Sequence, residues 1–219
     1  MVATVPMFTT HAETNGECGT NASYILDDSG KLTITGTGEI RQYAFAGRTA
    51  ITSAEIGSGI TGIGNNAFMN CSIMTSVTIP GGVTTIGDAA FQSCSSLVSV
   101  NIPGSVTSIG NYAFGGCSGL TTLTFEGTSL TNSAVFSYLS SNQTVKIPNG
   151  FTIASEEVTE DNKSNYFGQA NVEFYDPTPT TTTTTTTQPT TTTTTTTTAK
   201  PTTRTTMNTV ASTIIPPLM

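Results

Sequence analysis

Charged residues are scarce in this chain: Asp, Glu, Lys and Arg make up 10% of its 219 residues, against about 25% in an average soluble domain. No Lys or Arg lies between Arg48 and Lys146, and the net charge is −7. Binding to nucleic acid or anionic lipid requires clustered basic side chains. No apolar segment is long enough to span a bilayer. The sequence therefore predicts no nucleic-acid partner and no direct membrane insertion by this chain.

Residues that typically act in catalysis or bind metal ions are also scarce. The chain has one histidine, His11, near its N-terminus. Nucleophilic catalysis requires a base beside the nucleophile, and zinc sites typically use paired cysteines or histidines. We therefore predict no enzyme activity, no cofactor and no metal. An acidic segment, residues 156–161, is interpreted as a solvated loop, with a carboxylate pair for glycoside chemistry or a weak calcium site as alternatives.

The chain does contain a 23-residue period. It is carried by three residue types at fixed spacing, namely Phe45, Phe68, Phe91 and Phe114; Ile63, Ile86 and Ile109; and Cys71, Cys94 and Cys117. A fixed period in this range is typical of a solenoid, in which one supersecondary unit stacks on its copies. Stacking at the strand spacing of about 4.8 Å predicts continuous ladders of Phe, Ile and Cys side chains.

Each repeat contains the same signals in the same order. An L-x-x-L-x-L pattern predicts a half-buried strand, and a Pro-Gly step, as at Pro80-Gly81, ends it. Val83 and Ile86 then turn inward. In the short segment that follows, Asp88 or Asn111 could cap a helical turn.

The composition and the repeat pattern together divide the chain into five segments. Near the N-terminal end, Asp27–Gly30 predicts a hairpin turn. Poly-Thr with Pro cannot bury enough apolar surface to fold and predicts an O-glycosylated stalk or linker. The predicted segments are a leader or disordered end at 1–16, an N-terminal cap with a degenerate repeat at 17–50, repeats at 51–148, a C-terminal cap at 149–176, and a disordered Thr-rich stalk at 177–219. Within the first, Met1–Ala12 is either a truncated signal peptide or a disordered terminus.

The repeat T-I-P-x-x-V-T-x-I-G-x-x-A-F-x-x-C-x-x-L, at Thr78 to Leu97, resembles the BspA-like leucine-rich repeats, also called the treponemal class. The resemblance covers residues 17–148, and residues 18–36 are similar to that family's N-terminal cap. It implies a mainly β, right-handed leucine-rich-repeat solenoid with short helical or irregular convex segments. It also implies secreted or surface proteins of bacteria and some protists, many of them adhesin-like, and no catalytic residues.

The ladder cysteines are interpreted as buried free thiols, with one bridge or a metal as alternatives, because side chains that point the same way fit a disulfide poorly. Cys18 is predicted to be exposed in the cap. Glycosylation sequons occur at Asn21, Asn70, Asn142 and Asn162.

The exposed side of the strands is the predicted binding face. It is rich in hydroxyls and lacks the Trp, Tyr and Arg typical of interaction hot spots. Its residues are Thr52, Ser53, Glu55, Thr75, Ser76, Thr78, Val98, Ser99, Asn101, Thr121, Thr122 and Thr124. The sequence thus predicts an extracellular or cell-surface interaction module of adhesin type, which binds protein or glycan on host, matrix or neighbouring cells. The alternative is a structural coat or spacer, or a fragment of a larger secreted protein, without a specific ligand.

Overall fold

A computed structural model describes residues 14–131, 139, 141–167 and 169–177. The predictions made for residues 1–13 and for the Thr-rich segment from residue 178 onward lie outside the described residues. The described elements are β1 (Thr14–Glu17), β2 (Asn21–Leu26), β3 (Lys31–Ile40), β4 (Ser53–Ile56), β5 (Ile60–Ile63), β6 (Ser76–Thr78), β7 (Thr85–Ile86), β8 (Ser99–Ile102), β9 (Ser108–Ile109), β10 (Thr122–Phe125), β11 (Ser129–Leu130), β12 (Thr144–Pro148), β13 (Thr152–Ile153), β14 (Glu156–Glu157), α1 (Lys163–Phe167) and β15 (Asn171–Tyr175).

The main sheet is built from one strand per repeat. Strands β3, β4, β6, β8, β10, β12 and β15 lie side by side in that order, and each neighbouring pair is parallel. The register pairs Ser53 with Ser76, Ser76 with Ser99, and Ser99 with Thr122. Paired residues are one sequence period apart, so the predicted mainly β solenoid of 23-residue repeats is confirmed.

A second parallel sheet contains β3, β5, β7 and β9. The long strand β3 joins the two sheets, because Lys31–Ile34 pairs with β4 while Gly38–Ile40 pairs with β5. Ile63, Ile86 and Ile109 are paired in register, which gives the predicted Ile ladder. The sequence predicted the inward turn at Ile86 but not a strand, because two residues are too few for an alternating pattern to be recognised.

A third face consists of turns, at residues 42–47, 65–70, 88–93 and 111–116, which we call the turn face. Alternate N–H groups donate along the solenoid: Ala89, Phe91 and Ser93 each donate to the next repeat at 2.8 Å. The N–H groups between them, such as that of Ala90 to Gly87 O, close tight turns within the repeat. Of the two predicted alternatives for these segments, the irregular one is therefore correct.

The expected helix caps at Asp88 and Asn111 are wrong. Asn65 Oδ1 accepts the N–H of Asp88 at 2.8 Å, and Asp88 Oδ1 accepts the N–H of Asn111 at 2.7 Å. The side chains of Asn65 and Asp88 thus each accept from a backbone N–H group one repeat away rather than from one in their own turn.

The core contains a column of stacked aromatic rings among its buried aliphatic side chains. Phe45, Phe68, Phe91 and Phe114 are buried, with successive ring centroids 5.2, 5.1 and 5.4 Å apart. These distances are close to the strand spacing, so the predicted Phe ladder is present. Tyr24 covers its N-terminal end in an edge-on contact with Phe45, at 5.1 Å.

The N-terminal cap is an antiparallel sheet of β1, β2 and β3. The predicted hairpin turn is present: Asp27 Oδ1 accepts the N–H groups of Ser29 and Lys31, each at 2.9 Å, and Gly30 has φ +81°. Strand β1 begins at Thr14, before the cap boundary predicted at residue 17. The expected exposure of Cys18 is wrong, because its side chain is fully buried.

At the C-terminal end the repeat continues in part, because β11 and β13 pair in parallel, with Ser129 opposite Thr152, one 23-residue period apart. The two strands predicted there, β12 and β15, pair in parallel. Phe151 and Phe167 are buried against Phe125, with ring centroids 5.3 and 6.4 Å from it. The Tyr175 hydroxyl donates to the carbonyl of Phe125. These aromatic side chains form a second cluster of ring contacts at this end of the solenoid.

Candidate functional site

The predicted binding face is the outer side of β4, β6, β8 and β10 in the main sheet. It also includes the residue that precedes each of these strands, namely Thr52, Thr75, Val98 and Thr121. We call this surface the main-sheet face. The sheet places its polar residues in columns that run from repeat to repeat. One column contains Ser53, Ser76, Ser99 and Thr122, and another contains Glu55, Thr78, Asn101 and Thr124. The buried partners on the opposite side, Ala54, Val77, Val100 and Leu123, hold the columns in place.

Exposure is greatest in the middle of this face. Side chains at the middle repeats are exposed, whereas Thr52 and Ser53 at one end and Thr122 and Thr124 at the other are half-buried. Val98 is the apolar residue of the face and is 50% exposed. The most accessible part of the face is therefore its two middle repeats, where six positions are exposed: Thr75, Ser76, Thr78, Val98, Ser99 and Asn101.

A further column of the face is partly used in holding the repeats together. The hydroxyl groups of Thr52, Thr75 and Thr121 donate to the carbonyls of Ser29, Thr52 and Val98 at 3.0, 3.1 and 3.1 Å. Each bond joins a repeat to the one before it. These hydroxyl protons are committed to the solenoid, so the three residues offer a partner an acceptor oxygen and a methyl group. Val98 interrupts the column.

Charges lie toward the two ends of the face. Lys31 Nζ lies 2.7 Å from Glu55 Oε2, and Lys146 Nζ lies 3.5 Å from Glu173 Oε2. The hydrogen bond from Lys31, reinforced by its charge, lowers the pKa of Glu55. Both pairs are largely exposed and contribute little to stability. They flank a middle region without charged side chains, which is suited to neutral partners.

Exposed aromatic side chains lie on the turn face instead. Tyr43 is 56% exposed and Tyr112 is 43% exposed. Neither tyrosine belongs to a predicted site, although both occupy the same position of the repeat, three periods apart. Shared repeat position was the signal that could have identified them.

The four cysteines are free and buried. Cys71, Cys94 and Cys117 donate their S–H groups to the carbonyls of Phe45, Phe68 and Phe91 at 3.2, 3.2 and 3.0 Å. Burial raises the pKa of Cys71 and of Cys117 to about 11 and raises that of Cys94 as well. A protonated, inaccessible thiol is unreactive, so the Cys ladder is a hydrogen-bonded part of the core.

The acidic segment, residues 156–161, is held by local contacts with its own neighbours in the sequence. Asn162 Oδ1 accepts the N–H of Thr159 at 2.8 Å, and its Nδ2 donates to Glu157 O at 3.0 Å. Lys163 Nζ lies 2.6 Å from Glu160 Oε2. The carboxamide of the Asn162 sequon is thus engaged within the loop. Across the described ranges, no three His, Cys, Asp or Glu side chains converge to form a metal site.

Within the described part of the chain, no helix is long and apolar enough to cross a bilayer.

Comparison with known proteins places these features in a family. The model of the BspA type leucine rich repeat region matches residues 38–165 in six copies. Among curated proteins, none matches this chain significantly.

Similar solved structures come from bacteria. A leucine-rich repeat protein from T. pallidum is 17% identical, with 68% of this chain and 95% of that chain covered and a TM-score of 0.40. One from Eubacterium ventriosum is 16% identical, with 76% and 73% covered and a TM-score of 0.39. One from Bacteroides capillosus is 19% identical, with 49% and 95% covered and a TM-score of 0.37. With six copies of the repeat model over more than half of its length, the chain belongs to the BspA-type leucine-rich repeat family.

Proposed function

We propose that this protein is an extracellular or surface-displayed interaction module, of adhesin type, whose main-sheet face binds a protein or a glycan on a host surface, a matrix or a neighbouring cell. The observation that carries this proposal is the register of the main sheet. It repeats outward-facing polar positions on every strand while the opposite side of each strand supplies the core. Core packing leaves the outward positions unconstrained by burial.

The chemistry of the face supports contacts that are individually weak and repeated. Hydroxyl and carboxamide groups, from residues such as Ser76, Thr78 and Asn101, offer both hydrogen-bond donors and acceptors. The face lacks Trp, Tyr and Arg, which dominate tight protein interfaces. Affinity would then come from several repeats that bind together, as expected for multivalent attachment.

The register also determines how this proposal should be tested. Thr78, Asn101 and Thr124 follow one another in one column, and Thr124 is paired with Lys146. Lysines at all three positions would align four like charges, which destabilises a sheet. A single substitution at the centre, Asn101→Arg, adds a bulky charge without that repulsion. Thr85→Arg on β7 of the second sheet is the matched control, because Thr85 is also an exposed strand residue.

The experiment measures binding of the full chain to immobilised extracellular-matrix proteins and to a printed glycan array, together with the melting temperature. We expect saturable binding by the wild type, at least about tenfold weaker binding by Asn101→Arg, and unchanged binding by Thr85→Arg. Both variants should melt within a few degrees of the wild type, because exposed substitutions cost about 0.5 kcal/mol or less. Saturable binding that Asn101→Arg leaves intact would contradict the proposed face.

The alternative function is a structural coat or spacer without a specific ligand. It is favoured by the hydroxyl column of Thr52, Thr75 and Thr121, which bonds repeat to repeat rather than facing a partner. Absence of saturable wild-type binding in the same assay would support this alternative.

A further inference from the structure

A shallow depression lies on the turn face, away from the main-sheet face. It spans three consecutive repeats and is lined by Asn66, Asp88, Ala89, Gln92, Asn111 and Tyr112. Its lining combines an exposed aromatic ring, one carboxylate and three carboxamides, while the predicted binding face has no aromatic side chain.

The depression arises from one small residue in a column of larger ones. Tyr43, Asn66, Ala89 and Tyr112 occupy the same repeat position, and all have left-handed backbones, with φ of 57°, 57°, 52° and 56°. Ala89 lies between Asn66 and Tyr112, so its methyl group leaves a gap in the column. The backbones of Asn66 and Tyr112 are two rung spacings apart, about 10 Å, so the space between their side chains has room for one pyranose ring.

The edges of this gap are held in place by backbone bonds between repeats. The N–H groups of Asn66 and Ala89 donate to the carbonyls of Asp88 and Asn111, each at 2.8 Å. Asp88 Oδ1 accepts the N–H of Asn111 at 2.7 Å, which fixes the carboxylate beside the depression. The depression is therefore largely preformed, and the protein would lose little conformational entropy when a ligand binds.

We propose that this depression binds an uncharged saccharide, with a sugar ring packed on Tyr112 and sugar hydroxyls bonded to the polar side chains around it. A pyranose has an apolar C–H face and a rim of hydroxyls, which matches an aromatic ring surrounded by a carboxylate and carboxamides. Asp88 accepts hydrogen bonds, while Asn66 and Gln92 both donate and accept. This site is distinct from the main-sheet face and does not depend on that proposal.

The charge of the region selects among sugars. The repeats around the depression contain no Lys or Arg, and Asp88 contributes a negative charge. An acidic sugar would meet that carboxylate without a compensating cation, which is unfavourable in a partly desolvated site. Neutral hexoses and N-acetylhexosamines therefore fit, whereas sialylated or sulfated glycans do not.

The test titrates the isotope-labelled full chain with cellohexaose, chitohexaose and mannohexaose, singly, to millimolar concentration, and follows backbone amide shifts. We expect at least one oligosaccharide to shift the amides of Asp88, Ala89, Gln92 and Tyr112 while the main-sheet face stays unchanged. Tyr112→Ala should weaken that binding by at least about tenfold, the loss typical of a contact aromatic.

Two further variants separate binding from folding. Ala89→Tyr fills the gap with a side chain that the same repeat position already accepts at Tyr43 and Tyr112, and should abolish the shifts while the melting temperature is maintained. Tyr43→Ala is the matched control, because it removes an exposed tyrosine from the same column outside the depression; it should not affect binding. The proposal is overturned if none of the three oligosaccharides shifts these amides, if the shifts lie elsewhere, or if Tyr43→Ala weakens binding as much as Tyr112→Ala.

Discussion

The rings of Phe68 and Phe91 lie parallel in the centre of the solenoid, with centroids 5.1 Å apart and an angle of 6° between their planes. Phe91 has the same relation to Phe114, at 5.4 Å and 5°. Because both neighbours of Phe91 are fixed in adjacent repeats, they cannot collapse into the space that a smaller side chain would leave.

We therefore expect Phe91→Ala to lower the free energy of unfolding by about 3–5 kcal/mol, the range for an emptied buried aromatic site. Chemical denaturation of the full chain measures this, with Thr85→Ala as an exposed control that should cost about 0.5 kcal/mol or less. A loss below about 1 kcal/mol for Phe91→Ala would contradict the packed Phe ladder.

Glycine at the I-G step permits two repeats to approach closely. A Cβ added at Gly87 would lie 2.4 Å from Asn65 Oδ1 and 2.7 Å from Asn65 N. At Gly81, in the Pro-Gly step, nothing lies within 4 Å of an added Cβ. We expect Gly87→Ala to destabilise the protein by about 1–3 kcal/mol, as overpacking does, and Gly81→Ala to be nearly neutral. Equal melting temperatures for the two variants would contradict the close approach at Gly87.

The bond between Asp88 and Asn111 is made by a side-chain oxygen, and an amide oxygen can replace a carboxylate oxygen there, as Asn65 does one repeat earlier. Asp88→Asn should therefore leave the melting temperature nearly unchanged. Asp88→Ala removes the acceptor and should cost about 0.5–1.5 kcal/mol. If thermal denaturation finds the Asn variant as destabilised as the Ala variant, the bond between repeats is not what Asp88 contributes.

The buried thiols make stability depend on pH at the alkaline end. The folded-state pKa of Cys71 and Cys117 is raised from the ordinary 9.0 to about 11, so the unfolded chain releases these protons first. Their contribution is fully present below about pH 9 and falls as the pH rises toward 11. We expect the melting temperature to decline over that range, and Cys71→Ala to decline less steeply than the wild type. A Cys71→Ala profile parallel to that of the wild type would exclude the thiol as the cause.

Much of this fold was predictable because the sheet pairs residues that are one sequence period apart. The period read from the sequence therefore gives the register of the strands. The buried residues Val77 and Ile79 alternate with exposed Ser76 and Thr78, and that alternation alone indicates β6. The hairpin at Asp27–Gly30 was predictable because local side-chain bonds and a left-handed glycine determine it.

The turn face was not predictable from local signals. Asp88 and Asn111 have the chemistry of helix caps, but the backbone donors that Asn65 and Asp88 satisfy lie one repeat away. Cys18 precedes the repeats, and the turn between β1 and β2 packs its side chain inward, which no local pattern in the sequence indicates. Bonds between repeats decide the first case, and they follow only once the stacking is known. The depression beside Tyr112 depends on the same stacking.

Whether one 23-residue repeat is the interchangeable structural unit can be measured directly by deletion, since the Phe ladder, the main-sheet face and the turn face all depend on it. Removing Ser76 to Val98 joins Thr75 to Ser99 and deletes one full period, so every column closes on an equivalent residue. We predict that this variant keeps the wild-type far-UV circular dichroism shape and a cooperative melting transition. Removing only residues 76–86, about half a period, should abolish that transition, because buried and exposed columns then fall out of register. Equal melting behaviour of the two deletions would contradict the account.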